Sequence, residues 1–199
     1  MAKRIVPDRC CGLIIDFQKF FLSQVDRRLR SKITTNTKNL VRLLGHFGIP
    51  VVVTLERPVE QKGVLPREIE AQLGGLSETF EKDFIDLSKE KKIKSHLARL
   101  KRRQMIVAGC ETDVCVLQSC LGLLSLGYEV YVVEELLFSS SRNVDSAIAR
   151  MQAEGAIFLT YKSLYHELVE SVEDGRHKEK GFETFNLPDT LPDSAVQMP

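Results

Sequence analysis

Hydrophobic positions along this chain fall into two rhythms, strand-sized apolar runs and stripes at helical spacing. Residues 11–16 (CGLIID) form an apolar run that ends on a carboxylate and read as a buried strand. Leu40, Leu43, Leu44 and Phe47 then recur at helical spacing, and Gly48 supplies a stop. Residues 49–55 (IPVVVTL) are rich in β-branched side chains and predict a second strand. Residues 56–80 carry Pro58, Gly63, Pro66 and the Gly74–Gly75 pair, which is loop chemistry around one short helix at 66–73. Ile93, Leu97 and Leu100 mark a helix on a basic segment, followed by a strand at 104–109 (QMIVAG) and a helix at 112–126. A strand at 129–133, a helix at 144–154 and a strand at 156–159 complete the pattern. The alternation predicts a single α/β domain of three layers, its mostly parallel sheet of about six strands covered by helices on both faces. From 173 to 199 apolar residues thin out and Pro188, Pro192 and Pro199 punctuate the chain, which reads as a polar C-terminal tail, disordered or draped over a neighbouring subunit.

Composition narrows the function classes. With 199 residues and 43% hydrophobic content, the chain supports one domain with a substantial core. The 28 Lys+Arg against 27 Asp+Glu leave a net charge of +1, which argues against a nucleic-acid or anionic-membrane partner. The basic run at 89–103 (KEKKIKSHLARLKRR) has one narrow apolar stripe and no interleaved aromatic residue, so it reads as a solvated helix lying on a sheet. No apolar stretch approaches the roughly 20 residues that span a bilayer, and no small-residue cleavage site follows the short N-terminal apolar run, so no signal peptide is expected. The five cysteines form an odd set without a CxxC pair, which fits reduced thiols in a cytoplasmic protein. On one helix Cys115 and Cys120 would point about 140° apart, too far to share a metal. Cys10 and Cys11, on a strand, would pack on opposite faces, and Cys120 in the core. His46, His96, His166 and His177 sit in no metal-binding or catalytic pattern.

The segment at 107–117 (VAGCETDVCVL) carries the chemistry. A strand ends at Gly109, a turn follows, and Cys115 falls near the start of the next helix. Unpaired N–H groups and the positive end of the helix dipole there would stabilise a thiolate, lower its pKa, and offer donors to an oxyanion. Sheets of this class bind ligands beyond the carboxyl ends of their strands, so Asp16 could approach Cys115 despite the long separation in sequence. Taken singly, each residue has an ordinary alternative. Cys115 could be a small buried hydrophobe, Asp16 a helix cap or loop ion-pair partner, and Lys82 one more surface lysine near Lys89, Lys91, Lys92 and Lys94.

Four stretches go further together. LIIDFQKFF puts Asp16 at a strand end with Gln18 in a D-x-Q pattern, and FEKDFIDL offers Lys82. GCETDVCV has the form G-x-x-T-x-x-C-V around Cys115, and EELLFSSSRNVDSAIARMQAEGAIFLT reads as strand, serine-rich loop, helix and Gly-Ala strand. In this order and spacing the chain, over roughly residues 9–172, resembles the isochorismatase-like cysteine hydrolases, which include nicotinamidases, N-carbamoylsarcosine amidohydrolases and isochorismatases.

The resemblance implies Cys115 as nucleophile, Asp16 as general base, and Lys82 as the lysine that holds Asp16 ionised and favours the thiolate. It places the oxyanion between the backbone N–H groups of Glu111 and Cys115, with a cis peptide bond at Cys110–Glu111. The expected reaction is hydrolysis of a small amide, carbamoyl or related carbonyl substrate through a thioester-type intermediate, in a homo-oligomer. Metal-containing nicotinamidases carry an Asp and two His near the second strand. The corresponding stretch here, TLERPVEQKG, has no histidine, so neither a metal nor another cofactor is expected. Phe17, Phe21, Cys110 and Phe138 are candidate pocket walls, the loops at 56–80 and 138–142 candidate specificity elements, and the segment around Tyr128–Tyr131 with the terminal helix a candidate exposed interface. The family pattern K-x-x-x-S-A-F survives only as KDFIDLS. That change and the tail motivate a rival reading, a catalytically weak domain of the same fold serving as an interaction or assembly module. A thiol-redox protein is disfavoured by the missing CxxC partner.

Overall fold

The computed structural model describes residues 4–141 and 143–169. The tail at 173–199, with His177, and Arg142 of the 138–142 loop lie outside the described residues. The first half runs β1 (Cys10–Ile15), α1 (Lys19–Ser23), α2 (Arg27–His46), β2 (Val51–Glu56), α3 (Val59–Lys62), α4 (Arg67–Glu70) and β3 (Ser77–Lys82). The second half runs α5 (Lys91–Leu100), β4 (Gln104–Gly109), α6 (Leu117–Ser125), β5 (Glu129–Leu137), α7 (Asp145–Ala153), β6 (Ile157–Leu159) and α8 (Tyr161–Leu168).

The six strands form one sheet in the order β3-β2-β1-β4-β5-β6, and every neighbouring pair is parallel. The chain therefore winds outward from β1 to β3, returns to lay β4 beside β1, and winds outward the other way. That reversal opens a crevice beyond the carboxyl ends of β1 and β4. Both strands are buried at every position, as their unbroken apolar runs require. On one face α2, α4 and α8 bury Leu40, Leu43, Leu44, Ile69 and Leu164 against Ile14, Val53 and Ile106. On the other, α5, α6 and α7 bury Ile93, Leu97, Cys120, Leu123 and Met151 against Leu13, Val52 and Val107. Cys10 and Cys11 fall in opposite layers, as alternation along a strand dictates. Helix α2 starts at an Asp26 cap whose side chain accepts from the N–H groups of Arg28 and Leu29, and Gly48, at φ +62°, follows its end.

Three local readings change. Residues 77–82 (SETFEK), of which 77–80 fall in the expected loop, are strand β3, paired with β2 from Val51↔Ser77 to Glu56↔Lys82. As an edge strand it is largely exposed, so its polar sequence hides the period. The helix expected at 112–126 begins as a π-helical turn, Thr112–Val116, before α6. The segment around Tyr128–Tyr131 is not exposed as expected: it leads into β5, and Tyr131 is only 1% exposed. Among the described residues no helix is long and apolar enough to cross a membrane.

Gly109 closes β4 at φ +130°, and a Cβ there would overlap the backbone carbonyl of Ile15 in β1. Gly109→Ala is expected to cost about 3–5 kcal/mol, backbone strain and overpacking together. Urea unfolding measures this, and a loss below about 1 kcal/mol would show that β1 and β4 yield at their carboxyl ends.

Candidate active site

Four adjacent strands, in the order β3-β2-β1-β4, deliver Lys82, Glu56, Asp16 and the turn carrying Cys115 to one end of the sheet. The register makes this possible: Glu56 lies opposite Lys82, and Ile15 lies opposite both Thr54 and Gly109. Asp16 follows β1 in the left-handed region at φ +48°, which Asp tolerates better than most residues. Its backbone is pinned there. Its N–H donates to the Thr54 carbonyl at 3.1 Å, and its own carbonyl accepts from the Gln18 N–H at 2.7 Å and from Cys110 Sγ at 2.9 Å.

The Asp16 carboxylate accepts from the Thr54 hydroxyl at 2.7 Å through Oδ1, and Lys82 Nζ lies 2.8 Å from Oδ2. Both side chains are 0% exposed. Lys82 Nζ also donates to the carbonyls of Phe84 and Ile85 at 3.2 and 3.4 Å, and lies 3.6 Å from Cys115 Sγ. Burial raises the Asp16 pKa against the pull of Lys82 and Thr54. Burial also opposes the ammonium, but Asp16, Cys115 and Glu56 outweigh it and hold Lys82 above its ordinary value.

Cys115 departs from the expectation of a lowered pKa. It is 2% exposed, and burial, together with the Asp16 and Glu56 carboxylates, pushes its thiol up against the pull of Lys82. Burial is the larger cause, and its position in the π-turn also sets it beside the two carboxylates. The Cys115 thiol donates to Glu56 Oε2 at 3.0 Å.

Glu56 and Thr54 touch Cys115 and Asp16 in the candidate site, and sequence reasoning had not singled them out as site residues. The available signal was positional, since Glu56 closes an apolar strand much as Asp16 follows one. Gln18, noted only as part of a D-x-Q pattern, fixes it. Gln18 Oε1 accepts from the Glu56 N–H at 2.7 Å, and its Nε2 donates to the carbonyls of Glu56 and Gly63 at 3.1 and 2.7 Å. Lys62 forms an ion pair with Glu56 Oε1. Burial disfavours the Glu56 charge, but bonds from Lys62 and Cys115 more than compensate and set its pKa below the usual value.

Donor atoms of Asp16, Glu56 and Cys115 lie within 4.8 Å of one another, a spacing that one cation could bridge. The Lys82 ammonium already lies 2.8, 3.7 and 3.6 Å from these three groups, so a positive charge supplied by the chain fills that role. The Cys110–Glu111 peptide bond is cis; the amide of Glu111 precedes the turn that follows it, and that of Cys115 lies within it. The serine-rich loop packs on this turn: Ser139 and Ser141 donate to Asp113, and the Ser140 N–H donates to the Glu111 carboxylate. Phe17 and Phe138 are buried and meet edge to face at 5.2 Å, Phe21 is buried with them, and Cys110 is turned to the Asp16 carbonyl. A groove of about 500 Å³ lined by Phe84, Ile85, Asp113 and Val114 borders the site.

A model of the isochorismatase domain matches residues 10–163. The secreted isochorismatase effector Isc1 of Phytophthora sojae is 30% identical over 172 residues, covering 83% of this chain and 79% of its own. The structure of the MAR1 ribonuclease from Caenorhabditis elegans superposes with a TM-score of 0.86 at 25% identity, covering 99% of each chain. YcaC from Pseudomonas aeruginosa, with hexane-2,5-diol and covalent acrylamide, superposes with a TM-score of 0.84 at 25% identity, covering 93% of this chain and 91% of its own.

Removing one partner of the Lys82–Asp16 pair strands a buried charge. Lys82→Met is expected to lose about 3–5 kcal/mol near neutral pH. Without Lys82 the folded-state pKa of Asp16 rises further above its unfolded value, so the folded state binds the extra proton and stability falls as pH rises through the folded pKa. The deficit should therefore shrink in acid. Urea unfolding at several pH values checks this, and a small, pH-independent loss would contradict the pairing.

Proposed function

The chain belongs to the isochorismatase family, and from that premise we propose that it is a cysteine hydrolase acting on a small amide, carbamoyl or related carbonyl substrate. The observation that carries this reading is one buried ammonium, Lys82, placed 2.8 Å from the Asp16 carboxylate and 3.6 Å from the Cys115 sulfur at the carboxyl end of a parallel sheet. The thiol sulfur attacks the carbonyl carbon as its proton passes to a carboxylate within reach. The C–S bond forms and the carbonyl electron pair moves to oxygen, held by the N–H groups of Glu111 and Cys115. Collapse breaks the C–N bond, the departing nitrogen takes the proton, and a thioester remains. Asp16, its charge balanced by Lys82, then draws a proton from water as the water oxygen attacks. The C–S bond breaks, the acid leaves and the sulfur regains its proton.

Two further points bear on this reading. Acrylamide, found covalently bound in the P. aeruginosa relative, reacts with nucleophiles at its activated alkene, so it speaks for a reactive nucleophile in that relative. A phosphodiester, the kind of group a ribonuclease such as the C. elegans relative cleaves, would bring a further negative charge to a thiol that already faces Asp16 and Glu56. The altered KDFIDLS stretch keeps Lys82 in the site: Asp86 caps the next turn by accepting from the Ser88 N–H, and the Leu87 N–H donates to Ser119. That stretch therefore does not by itself favour an assembly module. Five free, buried cysteines suit a reducing compartment such as the cytoplasm.

The test is a panel of small primary amides and carbamoyl compounds, read by release of ammonia or amine and by intact-protein mass. Turnover with an acyl adduct on Cys115, falling by at least about 10³-fold in Cys115→Ala, is the expected result. Turnover that survives Cys115→Ala would overturn the proposal.

A further inference from the structure

We infer that Glu56 is a further catalytic residue, the base that receives the Cys115 thiol proton and hands it to the departing nitrogen. The inference rests on the hydrolase reading and divides its acid–base work between two carboxylates.

Geometry separates them. The Cys115 thiol donates to Glu56 Oε2 at 3.0 Å. Asp16 is also within the sulfur's reach, but its two oxygens already carry short contacts from the Thr54 hydroxyl at 2.7 Å and Lys82 at 2.8 Å, whereas Lys82 stands 3.7 Å from Glu56 Oε2. The two oxygens of Glu56 are likewise distinguished: Oε1 carries the ion pair with Lys62, which leaves Oε2 to face the sulfur. Gln18 holds the Glu56 backbone at both its N–H and its carbonyl, so the carboxylate is presented from a fixed point. Exposure divides them as well. The Asp16 side chain is 0% exposed and that of Glu56 is 22%, which puts Glu56 on the side from which an amine departs to solvent.

The electrostatics agree with this division. Lys62 and Cys115 set Glu56 below the ordinary carboxylate range, so it is ionised and free to accept at neutral pH. Transfer from a thiol of raised pKa is uphill in the resting site. It proceeds as the S–C bond forms, because bonding to carbon removes the sulfur's hold on its proton. The proton then rests on Oε2. Collapse of the tetrahedral intermediate breaks the C–N bond, nitrogen takes the bonding pair together with this proton, and Glu56 returns to carboxylate beside a thioester. Asp16 and Lys82 are left for the water step.

Iodoacetamide isolates the first transfer, since sulfur bonds to carbon, iodide leaves and the thiol proton goes to the base. The rate of Cys115 alkylation, followed by peptide mass spectrometry from about pH 6 to 8, is expected to be nearly flat in the wild-type protein, whose base is ionised throughout. In Glu56→Gln it should climb about tenfold per pH unit, as for an unassisted thiol that must first ionise. Should Glu56→Gln fold poorly, Glu56→Ala with added formate gives the same reading, because formate in the vacated space restores the flat rate. A flat profile in Glu56→Gln, or formate without effect in Glu56→Ala, overturns the assignment and leaves the hydrolase reading standing. A wild-type profile that itself climbs about tenfold per pH unit marks Cys115 as an ordinary thiol, and the underlying reading fails with it.

Discussion

The buried ammonium of Lys82 is the constraint on which the rest of the site depends. Taking an ammonium and a carboxylate out of water costs several kcal/mol each, and only close pairing with further hydrogen bonds makes that tolerable. Asp16 at 2.8 Å supplies the pairing, and the carbonyls of Phe84 and Ile85 supply acceptors for the remaining protons. Each partner comes from a different segment: Asp16 from the end of β1, Lys82 from β3, and the two carbonyls from the turn beyond it. The sheet order and register are thus tied to the electrostatics, because a one-residue slip of β3 against β2 would turn Lys82 to the other face.

One positive charge in this position also organises what surrounds it. It lies near both carboxylates and the thiol, so in the proposed hydrolysis it would stabilise negative charge as that charge moves from carboxylate to sulfur and on to the oxyanion. In the proposed reaction the sulfur needs no depressed pKa at rest: a neutral thiol bonded to a carboxylate would be protected from adventitious oxidation and would become a nucleophile only when an electrophile arrives.

Much of this was legible in the sequence because burial on both faces leaves a plain signature. The runs CGLIID and QMIVAG read most economically as buried strands, which brought Asp16 and Cys115 towards one end of a doubly wound sheet, while Lys82 was singled out by the resemblance. What escaped notice had weak local signals. Strand β3 is a polar edge, so its period is nearly invisible, although it carries Lys82. Glu56 looks like any charged residue at a strand end, and its importance comes from Gln18, Lys62 and Cys115, which meet only in the fold. The direction of the Cys115 shift was misjudged for a similar reason. The helix-start argument counts a dipole along the chain, whereas the burial of the sulfur, and after it the carboxylates that arrive from β1 and β2, exist only in the fold.

The account's central claim, that the fold singles out one thiol for chemistry, is tested most directly by labelling the native protein with N-ethylmaleimide and mapping the modified peptides by mass spectrometry. Cys10, Cys11 and Cys120 are wholly buried in the two core layers, and Cys110 is turned to the Asp16 carbonyl. Cys115 should therefore be modified first, with the other four protected until the protein is unfolded. Labelling of Cys115 no faster than that of Cys120 would contradict the claim.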